Sequence, residues 1–126
     1  MLEQCTIRNF ALIEEARVDF SRGFHVLTGE TGAGKSIVID ALGLAAGARG
    51  SAEWVRHGAE KAEIECVFSL PDTHPVYSLL EEMGIPAERG DALIIRRELS
   101  AQGKSLARVN GTAVTLAMLK RIGEWL

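Results

Sequence analysis

The chain has 126 residues, enough for one small domain, and its 47% hydrophobic content is that of a globular rather than a disordered protein. A net charge of −3 leaves no basic footprint, so composition lends no support to nucleic-acid binding. Glu3 and Arg8 interrupt any signal-peptide-like start, and no apolar stretch approaches a membrane span, so the expectation is a soluble, cytoplasmic chain with no membrane partner.

Leu2 to Phe10 mixes β-branched and aromatic residues with polar ones and reads as a strand. Ala16 to Phe20 alternates apolar and polar, which predicts a half-buried strand. Ser21-Arg22-Gly23 is a turn, and Phe24 to Thr28 a third strand running into a glycine-rich loop. From Lys35 to Ala46 the pattern is helical, with Gly47 as its stop. That helix carries Ile37, Val38, Ile39, Ala41, Leu42, Leu44 and Ala45, apolar on nearly every face, which predicts burial between layers.

Ala48 to Lys61 is polar and glycine-punctuated, hence a loop; Ile64 to Leu70 is a strand, and Pro71 to Pro75 a linker. Val76 to Met83 is a short amphipathic helix closed by Gly84. Ala92 to Leu99 and Ser105 to Val109 form a predicted hairpin through Ala101-Gln102-Gly103, and Asn110-Gly111 is a tight-turn signal. Thr115 is the expected N-cap of a last helix, whose pattern runs to Leu126 without a stop signal; this suggests a piece of a larger fold. Cys5 and Cys66 lack metal-ligand spacing and sit in apolar runs, so both read as reduced core residues.

The segment Gly29-Glu30-Thr31-Gly32-Ala33-Gly34-Lys35-Ser36 fills the pattern G-x-x-x-x-G-K-[ST] between a predicted strand and a predicted helix. Glycines let the backbone turn sharply and bring its N–H groups onto phosphate oxygens. The helix that follows aims the positive end of its dipole at the same anion. Lys35 supplies a point charge to the β- and γ-phosphates, and the Ser36 hydroxyl is a ligand for Mg²⁺. The motif therefore predicts a nucleoside triphosphate, ATP with Mg²⁺, against the alternative of a glycine-rich turn beside a surface lysine.

More than twenty residues with two strand-like segments precede this loop, whereas small-molecule kinases and many GTPases place it near the chain start. The arrangement resembles the ABC-type ATPase heads of the SMC family, in which an antiparallel lobe precedes the phosphate loop. The detail resembles the RecN family of bacterial DNA-repair proteins. The residues that carry this are Ile7-Arg8-Asn9-Phe10-Ala11-Leu12-Ile13-Glu14, Thr28 through Ile37, Asp40 through Leu44, Gly47-Ala48-Arg49 and Val55-Arg56-His57-Gly58. Arg96-Arg97, Gly103-Lys104-Ser105 and Arg108-Val109-Asn110-Gly111 extend it to essentially the whole chain. SMC and RecF-like heads in general usually carry Pro-Asn or Ser-Asn where this chain has Glu30-Thr31.

The resemblance implies an α/β P-loop NTPase of the ABC/SMC head type, residues 1–126 being the N-terminal half of the head. It implies ATP hydrolysis in recombinational repair of double-strand breaks, in a nucleoid-associated protein. Partners would be the C-terminal half of the same head, a second head in an ATP-sandwiched homodimer, and DNA. The signature motif, the acidic strand, the Q-loop glutamine and the coiled coil of that family are not among these residues, so the segment alone is expected to be inactive. ATP contacts would come from residues 29–36, from Ile37, from Arg8 and Asn9 at the end of the first strand, and from Arg49, with Lys35 catalytic.

Alternatives stand beside these. Arg49 and Arg56 are equally readable as solvated loop arginines, Arg8 and Asn9 as strand-end surface, and Asp40 as a partnered structural carboxylate. His25, His57 and His74 have no ligand spacing and read as structural or surface residues, and Glu30 reads as solvent-facing. Arg96 and Arg97 must point to opposite faces of a strand, so only one can join a cationic patch with Lys104 and Arg108. The competing function is an ATP-gated dimerisation module of another SMC- or RecF-like protein with little hydrolysis. A small-molecule kinase is disfavoured by the two leading strands.

Overall fold

The computed structural model describes residues 1–20, 25–28 and 34–126. Seven strands form one sheet: β1 (Leu2–Phe10), β2 (Ile13–Asp19), β3 (His25–Thr28), β4 (Lys61–Phe68), β5 (Leu93–Ser100), β6 (Ser105–Val109) and β7 (Thr112–Ala113). Their spatial order is β3-β2-β1-β4-β5-β6-β7, every neighbouring pair antiparallel. Helix α1 (Gly34–Ala45) packs on the sheet against β1, β4 and β5, and α2 (Val76–Glu82) and α3 (Leu116–Gly123) pack on each other, α3 also touching β6. The expected combination of an antiparallel lobe and a phosphate-loop helix is borne out.

Alternation explains the sheet. Cys5, Ile7, Ala62, Ile64, Cys66, Leu93, Ile95, Arg97, Leu99, Ala107 and Val109 are buried, and the strand residues that alternate with them are partly or fully exposed. The period breaks at Asn9, whose φ of 52° is left-handed, so that Phe10 rather than Asn9 turns inward. Phe10 then stacks at 5.0 Å on Trp54, in a 3₁₀ turn (Ala52–Trp54) capped by the Ser51 hydroxyl.

Several boundaries differ from expectation. β2 starts at Ile13 rather than Ala16, because Glu14 and Glu15 both face solvent and hide the alternation. β4 starts at Lys61 rather than Ile64 and stops at Phe68; its charged first residues pair with Ser100 and Glu98 of β5. The segment expected to be loop from Ala48 to Lys61 thus holds a 3₁₀ turn and the first strand residue. The Asn110-Gly111 turn has φ of 48° and 82°, the two left-handed residues of a tight hairpin turn, and leads into the short β7, which was not expected. Thr115 does cap α3, its hydroxyl accepting the Met118 N–H at 3.1 Å. That helix ends at Gly123 rather than running to Leu126.

α1 departs from the expectation of burial between layers. Val38, Ala41, Leu44 and Ala45 face the sheet, while Ile39 is 65% exposed and Asp40 is exposed too. A helix apolar all round is here covered on one side by the described residues. Its far end is pressed on α3 by two glycines. A Cβ on Gly47 would meet the Lys120 backbone nitrogen at 2.8 Å, and one on Gly123 would meet the Ala46 carbonyl oxygen at 2.8 Å.

Cys5 and Cys66 are directly paired across β1 and β4, both fully buried and free, with their sulfurs 2.9 Å apart. The contact with Cys5, together with burial, pushes the Cys66 thiol far above its ordinary pKa. The reading of two reduced core cysteines holds; that they face each other was not visible in a sequence separation of 61 residues.

Candidate nucleotide-binding site

Residues 29–33 of the glycine-rich loop, namely Gly29, Glu30, Thr31, Gly32 and Ala33, lie outside the described residues. The elements that flank them are described. β3 ends at Thr28 and α1 opens at Gly34, so the strand–loop–helix context that the motif needs is present. α1 has no acidic residue in its first turn that would compete with a bound anion. Gly34 and Lys35 begin its backbone, the Ser36 side chain is exposed in that first turn, and Ile37 is partly buried against the core. One hydroxyl beside phosphate oxygens and water suits Mg²⁺, a hard cation that keeps much of its hydration. Among the described residues no cluster of three or more His, Cys, Asp or Glu could hold a metal by itself.

Register fixes which end of the sheet this is. β1 and β3 both run antiparallel to β2, with Arg8 opposite Glu15 and Arg17 opposite Thr28. The last residues of β1 and the strand leading into the phosphate loop therefore point the same way, so Arg8 and Asn9 lie at the loop's end of the sheet. The backbone there is unusual. Asn9 and Ala11 both have φ of 52°, which is strained for alanine, and Leu12 beside them is 81% exposed. The Asn9 carbonyl accepts the Arg56 N–H at 2.8 Å, and the Ala11 N–H donates to the Trp54 carbonyl at 2.6 Å. The 51–56 loop is thus tied to the end of β1, which brings Arg56 rather than Arg49 beside Asn9. Arg49 is exposed beyond the end of α1, and Arg56 is partly buried.

The Arg8 guanidinium is occupied, 3.4 Å from Glu15 and 3.8 Å from Glu63. It belongs to an ion-pair ladder on the solvent face of the sheet. Glu63 and Glu98 are directly opposed, a like-charge pair that would repel. Lys61 bridges them at 3.3 and 2.7 Å, and Arg96 contacts Glu63, Glu65 and Glu98 at 3.2 to 3.6 Å. The hydrogen bond from Lys61 holds the Glu98 carboxyl below its ordinary pKa, and Glu98 in turn raises Lys61. Lys61, expected at the end of a loop, is a strand residue spent on two carboxylates. Asp40, expected to be a partnered carboxylate, is exposed and has no ion pair with a described residue.

Arg96 and Arg97 do point opposite ways, and neither leaves a free cation. Arg97 is 2% exposed, the charged or polar residue buried among those described. Its Nη1 donates to the carbonyls of Leu44 at 2.5 Å and Ala48 at 3.0 Å, and its Nη2 to the Ser105 hydroxyl at 2.8 Å. Burial pulls its pKa down from the ordinary arginine value. The hairpin expected to contribute to a cationic patch keeps Lys104 and Arg108 exposed, Arg108 donating to the Gly111 carbonyl at 3.3 Å.

A glycine-rich loop leading from an antiparallel lobe into a buried-faced helix defines a class of nucleotide-binding protein, and residues 4–112 match the family model of the AAA domain. The chain belongs to that family. Over 124 residues it is 52% identical to DNA repair protein RecN of Halalkalibacterium halodurans, covering 98% of this chain and 22% of the relative. Against DNA repair protein RecN of Bacillus subtilis it is 52% identical over 126 residues, 100% of this chain and 22% of the relative. The chain spans about a fifth of the length of these curated relatives, and the likeness to RecN read from the sequence is borne out along all of it. Among solved structures it superposes on an SMC ATPase, from work on ATP-driven dimerisation and DNA-stimulated activation, with a TM-score of 0.69, 23% identity, and coverage of 98% of this chain and 78% of that one. The SMC-head fold is thereby shown. No helix among the described residues is long and apolar enough to cross a membrane.

Proposed function

We propose that this chain binds ATP with Mg²⁺ through residues 29–36 and forms the N-terminal half of an SMC-like ATPase head acting in repair of DNA double-strand breaks. The observation that carries the reading is the strand ending at Thr28 and the helix opening at Gly34 around a complete phosphate-loop motif, in a chain 52% identical to RecN proteins. The roles follow from chemistry. Backbone N–H groups of the loop and of the α1 N-terminus hold phosphate oxygens. Lys35 places its ammonium on the β- and γ-phosphates and counters charge as it develops. The Ser36 hydroxyl holds Mg²⁺, which when bound neutralises charge on the same phosphates. Arg8, Asn9 and Ile37 border the nucleotide, and the strained Asn9–Ala11 backbone supports a binding role at that edge. Arg49 reaches toward nucleotide or DNA, with Arg56 as its rival.

Hydrolysis requires groups from outside residues 1–126: the C-terminal half of the head and a second head closing on two ATP molecules, with DNA as the working partner. The exposed Ile39 face of α1 supports a missing cover. We place the whole protein in the cytoplasm, at the nucleoid. Replacing Lys35 by Ala in the full-length protein tests the assignment. Loss of a charge-assisted contact to a buried anion weakens ATP binding by roughly 1.5–3 kcal/mol or more; unchanged affinity and turnover in that variant refute it. The second reading, an ATP-gated dimerisation module with little hydrolysis, is separated by turnover: DNA-stimulated ATP hydrolysis in the full-length protein favours the first.

A further inference from the structure

Arg97 poses a physical question. A guanidinium that is 2% exposed loses its hydration, yet no carboxylate of a described residue pairs with it. Its acceptors are two backbone carbonyls and one hydroxyl. The Leu44 carbonyl is in the last turn of α1, and the Ala48 carbonyl lies just past its end. The last carbonyls of a helix lack intrahelical partners and carry the negative end of its dipole. α1 has no basic residue of its own in its last turn. The cation that complements this end therefore comes from β5: Nη1 reaches both carbonyls, and the Ser105 hydroxyl holds Nη2 and so fixes the plane of the guanidinium. Two more contacts hold the same end: Gly47 against the Lys120 backbone, and Gly50, where a Cβ would meet both Leu99 methyl groups at 3.1 Å.

α1 is one rigid rod of 12 residues, about 18 Å long at 1.5 Å per residue. Its N-terminal end continues the phosphate loop. A rod gripped at one end is aimed at the other, so a shift at Leu44 is carried to the backbone N–H groups at Gly34 and beyond. We propose that Arg97 is a positioning residue for the phosphate-binding end of α1: by gripping the helix from β5 it sets where the loop and helix N–H groups meet the nucleotide. This inference rests on the nucleotide-binding reading above and adds to it a residue that touches no nucleotide. Methionine at this position fills similar volume and removes the buried charge, and the acceptors it leaves on Ala48 and Ser105 belong to exposed residues that water can reach. Leu44 keeps a second donor, the Gly47 N–H at 3.1 Å, so its carbonyl is not orphaned. Positioning and stability can thus be separated.

The experiment is equilibrium ATP binding to the full-length protein, measured with a fluorescent ATP analogue at a temperature where every variant gives the wild-type circular dichroism spectrum. The variants are Arg97→Met, Arg97→Lys, Lys35→Ala as the loss-of-binding control, and Leu80→Ala, a core truncation in α2, as a destabilised control. We expect Arg97→Met to weaken binding about tenfold, below the roughly hundredfold loss that a misplacement of about 1 Å can cause in a reacting constellation. Arg97→Lys, which keeps a donor and the charge but not the fork, falls between it and wild type. Leu80→Ala lowers the melting temperature and leaves affinity unchanged. Wild-type affinity in Arg97→Met, with Lys35→Ala defective, overturns the positioning role and leaves the nucleotide reading standing. An affinity loss in Leu80→Ala as large as that in Arg97→Met likewise overturns the positioning role. Failure of wild type itself to bind overturns both.

Discussion

Replacing Gly47 by Ala tests the close approach of α1 to α3. Gly47 has φ of 105°, outside the region that L-residues tolerate, and a Cβ there would lie 2.8 Å from the Lys120 nitrogen and 2.9 Å from its Cα. Both are backbone atoms of α3 and cannot rotate away. Gly58 supplies the internal control, with φ of 88° and nothing within 4 Å of the place an added methyl would occupy. Gly58→Ala meets conformational strain of about 1–2 kcal/mol, offset by about 0.4–1 kcal/mol from the stiffer unfolded chain, a net cost near 1 kcal/mol. Gly47→Ala meets the same strain and must also push α3 away, an overpacking cost of about 1–3 kcal/mol. The difference between the two variants should be about 1–3 kcal/mol, roughly a five- to 150-fold difference in local opening. Hydrogen exchange read by mass spectrometry on peptides covering 116–123 of the intact protein measures it without requiring two-state unfolding. Equal protection of those peptides in Gly47→Ala and Gly58→Ala would refute the reasoning.

Other outcomes follow from the same structure. Cys5 and Cys66 should resist iodoacetamide in the native protein and react fully once it is unfolded, because both side chains are fully buried and the contact with Cys5 together with burial disfavours the Cys66 thiolate; rapid native alkylation counts against the paired arrangement. The Glu98 carboxyl is held below its ordinary value in the folded state, so its contribution is present above the unfolded value of about 4.3 and is lost as pH falls through the lower folded value. Glu98→Gln should therefore flatten the acid side of a stability–pH curve measured by urea titration, and an unchanged acid limb rejects the coupling. In a salt titration of DNA binding by the intact protein, loss of a phosphate contact at Arg49→Ala or Arg56→Ala lowers the log–log slope by about one; an unchanged slope with reduced ATP turnover assigns the arginine to the nucleotide instead. Residues 1–126 expressed alone should be marginal or aggregate, since the Ile39 face of α1 is not covered by the described residues, and a cooperative monomeric melt would contradict this.

What could be read in the sequence was local. β1, the last helix's cap at Thr115 and the bounds of β6 rest on neighbouring residues, and each stands as expected. The phosphate-loop motif was legible because its chemistry is contiguous. What escaped depends on partners far along the chain. Glu63 falls between the expected loop and the expected strand, and nothing local says that Lys61 and Arg96 will neutralise it. Arg97 reads as half of a basic pair; only the alternation of β5 hints that it faces inward, and nothing local says that the end of α1 waits there. α1 itself looks buried on all sides because hydrophobicity records what a helix is meant to touch, and part of that surface meets none of the described residues.

The ladder on the outer face of the sheet has a consequence for how a polyanion would meet this surface. Three cations, Arg8, Lys61 and Arg96, interleave with four carboxylates, Glu15, Glu63, Glu65 and Glu98. Each of these charges lies within 3.8 Å of an opposite one, so most of their field closes on itself. Three cations against four carboxylates leave a net charge of −1, screened over a Debye length of about 8 Å at physiological salt. None of the three cations is free of a carboxylate, so the ladder does not draw in a passing duplex. Any long-range guidance of nucleic acid must therefore come from other surfaces, and mutating the ladder should disturb the sheet rather than the approach of DNA.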